Sequence, residues 1–274
     1  MLKKIGIMQG RLLPKYKGRY QAHPLGYWEK EFPIASELGL DSIEFILDFN
    51  DAEQNPLLAT GGIESIKSVE QSSGVKVFSI CADYFMEAPI HSDDTFTVDK
   101  SISVLERLIK NASLMNVKDI VIPCIDQSSL KNTRNKNNFI NNIKQVTSIA
   151  EETNINISLE TDLAPTPFAN LIDSIGSKNV TINYDIGNSA ALGFNPLEEF
   201  NAYGDKISDL HIKDRLLGKG PVPLGEGNAN IPKIFELLLK IDYQGIIIFQ
   251  AYRDDEGIEI FKKQLNWFFK NIKL

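Results

Sequence analysis

Eight short runs rich in Val, Ile, Leu and Phe recur along the chain, and each is followed by a segment with helical spacing. The runs cover residues 4–8, 42–47, 76–80, 119–123, 156–159, 180–184, 207–212 and 245–249. Most are continuous rather than alternating, the pattern of strands covered on both faces in a parallel sheet. Between them, Val98, Ile102, Leu105, Leu108, Ile109 and Ala112 fall three and four apart, as do Phe139, Ile143, Val146, Ile149 and Ala150. Gly39, Gly74 and Gly245 stand where a helix or turn would end before the next strand. Eight strand–helix repeats with no low-complexity linker predict one (β/α)8 TIM barrel domain over residues 1–274. The length agrees, since such barrels run to about 250 residues. A doubly wound open sheet is the competing architecture. Against it, the first run ends in Met8-Gln9-Gly10-Arg11, with no Gly-x-Gly-x-x-Gly.

In a barrel the catalytic groups come from the C-terminal ends of several strands. Read in order, those ends supply Gln9, Glu44, Asp83, Asp126, Glu160, Asp185, His211 and Gln250. A buried charge must be paired or bound to a metal, and carboxylates directed at one cavity raise each other's pKa. A divalent cation resolves that conflict most simply. One of only three histidines, His211, ends an apolar run beside Lys213 and Asp214. Side chains two apart on a strand share a face, so Lys213 should leave the sheet beside His211. There it either holds a substrate oxyanion as a catalytic group or pairs with Asp185, Asp214 or Glu226. Glu226 lies between two glycines, which suggests close backbone approach, and is expected to orient Lys213 or His211. Arg11, Arg215 and Arg253 follow strand ends; bidentate phosphate binding and surface ion pairing are both open for each. Residues 10–27 form a long loop with Lys15, Lys17 and Arg19, read either as a charged lid or as a solvated loop or subunit contact.

The formal net charge of −7 and pI near 5.1 argue against nucleic acid as a general partner. No run approaches the roughly 18 apolar residues of a membrane span. The start, Met1-Leu-Lys-Lys-Ile-Gly-Ile, passes directly into a strand without an apolar leader. Cys81 and Cys124 make no disulfide framework and have no basic neighbour to activate them. A cytoplasmic protein is expected, without membrane partners; self-association into a homo-oligomer stays open.

The run Tyr184-Asp-Ile-Gly-Asn188, then Leu210-His-Ile-Lys-Asp214, then Val222-Pro-Leu-Gly-Glu-Gly-Asn228 resembles the xylose-isomerase-like superfamily of sugar and sugar phosphate isomerases and epimerases. The resemblance extends over essentially the whole chain. It implies one divalent ion, Mn2+ before Mg2+, Co2+ or Zn2+, held by Glu160, Asp185, His211 and Gln250. It implies proton transfer on a small polyhydroxylated carbonyl compound (a sugar, sugar phosphate or cyclitol) through an enediolate that the ion stabilises. Glu160 is then the base, and Arg11, Glu44, Asp83, Asn188, Arg215, Glu226 and Arg253 are expected at the substrate. Gln250 departs from the family's glutamate. It can ligate through its carbonyl oxygen but cannot act as a base, which puts two-base epimerisation in doubt. Single-base isomerisation by Glu160, or a second base elsewhere such as Asp162, fits better. A dehydratase resembling the inosose dehydratases and a barrel that has lost its chemistry are the alternatives. Three histidines cannot furnish the histidine-rich three-zinc site of the superfamily's apurinic-site endonucleases.

Overall fold

The apolar runs pair side by side, each hydrogen-bonded to the next. In the computed structural model, which describes residues 4–255 and 257–272, they form β1 (Ile5–Met8), β2 (Ser42–Ile46), β3 (Ser79–Cys81), β4 (Asp119–Cys124), β5 (Asn156–Thr161), β6 (Val180–Asp185) and β7 (Ile207–Ile212). Two short antiparallel strands follow, β8 (Asp214–Arg215) and β9 (Pro221–Val222), before the last barrel strand β10 (Ile246–Phe249). The order β1-β10-β7-β6-β5-β4-β3-β2 closes on itself, and β1 is parallel to both β10 and β2. The chain is a (β/α)8 barrel, as the alternation of strand and helix predicts.

The outer layer comprises α1 (Glu31–Glu37), α2 (Gly62–Ser73), α3 (Tyr84–Glu87), α4 (Thr95–Ala112), α5 (Thr133–Ile143), α6 (Thr147–Thr153), α7 (Pro165–Ile175), α8 (Ile186–Leu192), α9 (Pro196–Tyr203), α10 (Ile231–Lys240) and α11 (Ile258–Asn271). The six apolar positions read from Val98 to Ala112 are all buried along α4. The second helical face is broken where one helix was expected. Residues 144–146 tighten into a 3-10 turn between α5 and α6, yet Phe139, Ile143, Val146 and Ala150 all stay buried. The third strand starts later than predicted. The Val77 N–H donates to Glu70 Oε1 at 2.7 Å, and Lys76 makes only an isolated bridge to Ser42. Gly39 and Gly74 have φ of +73° and +80°, conformations that a glycine adopts without strain.

The barrel interior positions the site. Such interiors are usually filled by Val, Ile and Leu, but here the apolar plug is small: Met8, Ile46, Cys81, Ile246 and Ile248. Polar side chains take the remaining volume, with Ser79, Ser158, Asp209 and His211 all fully buried. Burial raises Asp119 to about 6 against hydrogen bonds from Ser208 and Asn156. No helix among the described residues is long and apolar enough to cross a membrane. Met1, Leu2 and Lys3, at the start of the chain where no apolar leader is expected, lie outside the described residues.

Candidate metal centre

Three neighbouring strands deliver the centre. Asn183 and Asp185 are two apart on β6, as are Asp209 and His211 on β7, so each pair points the same way. The ladder sets Asp185 opposite His211, and His211 opposite Ile248 of β10. Glu160, Asp185 and His211 thereby each bring one ligand atom within 4.8 Å of the others, all buried. His211 Nδ1 is 3.6 Å from Glu160 Oε2 and 3.9 Å from Asp185 Oδ2. Two carboxylates and one imidazole nitrogen so close fit a divalent cation of the Mn2+, Mg2+ or Co2+ type. Asn183 Nδ2 lies 3.1 Å from Glu160 Oε2 and 3.0 Å from His211 Nδ1. Asn188 donates to the other Glu160 oxygen. Asp185 Oδ1 caps α8 by accepting from the Asn188 N–H at 2.8 Å.

Charge is concentrated here. Burial opposes the ionised form of Glu160, yet His211 and Lys213 hold its carboxyl at about 2. Asp185 moves upward, because burial and the Glu160 charge outweigh the pull of Lys213. Burial also works against a charged His211, but the Glu44 and Glu160 carboxylates on either side raise it well above its usual value.

Lys213 lies where the strand spacing puts it. Its Nζ is 2.7 Å from Asp185 Oδ2, and it donates to Gln250 Oε1, also at 2.7 Å. Arg215 donates to Asn188 Oδ1 at 2.7 Å and so touches the Glu160 network through Asn188. Arg11 donates to Gln21 Oε1 and to the Ala251 carbonyl, and Arg253 Nε donates to the Arg11 carbonyl at 2.8 Å. Asp83 accepts from Gln21 Nε2 at 3.3 Å, and burial raises its pKa to about 6.

Two expected substrate contacts sit elsewhere. Glu44 is fully buried in mid-strand, accepting from Ser79 Oγ and lying 2.8 Å from His211 Nε2. It faces the underside of the histidine and not the mouth. A neutral His211 therefore carries its proton on Nε2 toward Glu44 and turns Nδ1 to Glu160 and Asp185. Glu226 is exposed and contacts neither Lys213 nor His211. Its flanking glycines serve Asp214, whose carboxylate accepts the N–H groups of Gly225, Gly227 and Ala229. A Cβ at Gly227 would lie 2.0 Å from Asp214 Oδ1. Asp126 is exposed in the turn after β4, and Asp162 pairs with Lys131 at 3.1 Å. Cys81 and Cys124 are buried, and burial raises both thiols.

The family model of the xylose isomerase-like TIM barrel matches residues 32–271. The chain belongs to this family. Among the relatives of this xylose isomerase-like barrel is a probable L-ribulose-5-phosphate 3-epimerase of Mycoplasma pneumoniae, 28% identical over 227 residues, or 79% of this chain and 72% of that one. Solved structures share the fold. One is a xylose isomerase-like TIM barrel protein from Mycobacterium smegmatis in complex with magnesium, with a TM-score of 0.74, 20% identity, and 98% and 96% of the two chains covered. Another is a D-psicose 3-epimerase in the presence of D-fructose, with a TM-score of 0.75, 14% identity, and 98% and 99% covered.

Residue patterns missed two members of the site. Asn183 was accessible to the reasoning that found Lys213, since it precedes Asp185 by two positions on one strand. Gln21 had no such signal; it reaches the centre from the long loop after β1.

Proposed function

We propose that this barrel is a divalent-metal-dependent epimerase or isomerase of ketoses or ketose phosphates, one catalytic domain over residues 1–274 acting in the cytoplasm. The observation that carries the reading is the meeting of Glu160, Asp185 and His211 at one end of the barrel, with the Lys213 ammonium against Asp185. These three residues would hold the ion, with Mn2+ suited to an oxygen-rich set containing one imidazole. When bound, the ion polarises the substrate carbonyl and its neighbouring hydroxyl, which raises the acidity of the adjoining C–H.

Glu160 takes that proton. Its carboxylate is fixed from both sides by Asn183 and Asn188 and stays ionised at neutral pH. A carboxyl held so low accepts a proton weakly, so its work depends on the increased acidity of the substrate. Lys213 has three N–H bonds. Two face Asp185 and Gln250, which leaves one for the substrate oxygen or for returning a proton to the opposite face. Return to the opposite face gives epimerisation; delivery to the neighbouring carbon gives aldose–ketose isomerisation. Arg11 and Arg253 make no ion pair with a carboxylate among the described residues. Burial and the Arg253 charge lower Arg11 only to about 10, so it stays cationic. Two adjoining guanidinium groups with no carboxylate ion pair among the described residues suit a substrate phosphate. The Mycoplasma relative, a probable L-ribulose-5-phosphate 3-epimerase, supports that class.

The test is deuterium wash-in. Mn2+-loaded protein is incubated in D2O with ketoses, their 5-phosphates and inososes, and the products are read by NMR. Deuterium should appear beside the carbonyl together with an epimer or aldose, and Glu160→Gln lowers that rate by about a thousandfold. An enone from an inosose would assign a dehydratase instead. Absence of exchange from every compound would leave a barrel without this chemistry.

A further inference from the structure

Gln250 is the position where this chain departs from the resemblance, and its amide is committed on both sides. Its Oε1 accepts from Lys213 Nζ at 2.7 Å, and its Nε2 donates to Gln21 Oε1 at 2.8 Å. Gln21 accepts a second bond from Arg11 Nη2 at 3.1 Å and donates to Asp83 Oδ2 at 3.3 Å. Donors and acceptors alternate without conflict from Asp83 through two carboxamides to Lys213, whose Nζ lies 2.7 Å from Asp185 Oδ2. A carboxylate at position 250 could accept from Lys213 but could not donate to Gln21. An amide completes both contacts without having to take up a proton.

A second observation shows that the Lys213 position is built into the fold. The lysine stem passes close over α8, where a Cβ on Gly187 would lie 2.3 Å from Lys213 Cγ. Gly187 belongs to the Asp-Ile-Gly-Asn run that carries Asp185. The helix that starts directly after one carboxylate therefore also clears room for the cation beside it.

We propose that Gln250 and Gln21 are positioning residues for Lys213, and that Gln250 is not a ligand of the ion. The glutamine then marks a changed division of labour at the mouth. The eighth barrel strand contributes the acceptor that fixes a lysine from the seventh, and the loop after β1 locks that acceptor. This inference rests on the proposed function, in which Lys213 faces the substrate.

The experiment separates metal binding from turnover. Mn2+ affinity is measured by titration calorimetry for the wild type, Gln250→Met and Gln21→Leu. Deuterium wash-in is measured for these, for Lys213→Met and for the Lys213→Met/Gln250→Met double variant. Gln250→Met keeps the Mn2+ Kd within about threefold of wild type, since no bond to the ion is removed. It lowers kcat about tenfold with little change in KM. The double variant is no slower than Lys213→Met alone, because both substitutions remove the same interaction. Gln21→Leu moves kcat in the same direction, and its place on a loop keeps the test alive if Gln250→Met folds poorly. A tenfold weaker Mn2+ Kd in Gln250→Met would make Gln250 a ligand and overturn the inference. Additive losses in the double variant would also overturn it. A wild type that neither binds Mn2+ nor exchanges a proton would instead refute the proposed function.

Discussion

His211 and His23 show how the same side chain serves opposite ends in one barrel. His211 lies between carboxylates that favour its charge, whereas His23 is buried against Phe45 and Trp28, with ring centroids 5.2 and 6.2 Å away. Burial pushes His23 down from 6.5 to about 4. Between those values the unfolded chain binds a proton that the folded chain does not. Stability from this group is complete above about pH 6.5 and is lost as the pH falls towards 4. The full difference corresponds to roughly 3 kcal/mol. Glu31 runs in the other sense. Its carboxyl accepts from the N–H groups of Gly10 and Leu12, and burial raises it to about 7. The comparison of a variant with wild type isolates His23 from such terms. Urea unfolding at pH 7 and pH 4.5 should show His23→Gln losing about 2 kcal/mol less between the two than wild type does. Equal losses in both proteins would remove His23 from the acid response.

At the scale of elements, the loop after β1 and the β8–β9 hairpin frame the mouth in different ways. The loop's lysines and its outer arginine are neutralised locally: Lys15 by Asp255, Lys17 by Asp51 and Arg19 by Asp48, at 2.7, 2.6 and 2.9 Å. Surface pairs of this kind contribute little individually. They nevertheless leave Arg11 and Gln21 as the loop's reach into the centre. The hairpin depends on Asp214, which is fully buried and accepts from four backbone N–H groups, those of Arg215, Gly225, Gly227 and Ala229. Asp214→Ala would strand those donors at a cost of about 3 kcal/mol. Thermal unfolding should show a Tm lower by roughly 5–10 °C. A shift of under about 2 °C would mean that water replaces the carboxylate without loss.

For the whole molecule, the barrel was legible because its strands are buried on both faces and its helices are amphipathic, so their periods differ along the chain. Ladder starts and helix breaks were less legible, because single hydrogen bonds such as Val77 to Glu70 decide them. Glu160, Asp185 and His211, which the fold brings within 4.8 Å of one another, stood out in the sequence because a polar side chain at the end of an apolar run has little structural reason to be there. Glu44 was misplaced because strand-end reasoning does not tell mid-strand from mouth, and the barrel's polar interior could be seen only once the strands had closed. Glu226 was misplaced because its glycines serve a carboxylate far away in sequence, Asp214. Gln21 lies in a loop without periodicity, so only the fold brings it to Gln250. The proposed chemistry requires that Glu160, Asp185 and His211 bind one divalent ion. Titration calorimetry with Mn2+ tests it directly on wild type and Asp185→Asn. Wild type should bind one ion per chain, and the variant should bind it at least tenfold more weakly. No stoichiometric binding by wild type, or equal affinity in both, would contradict it.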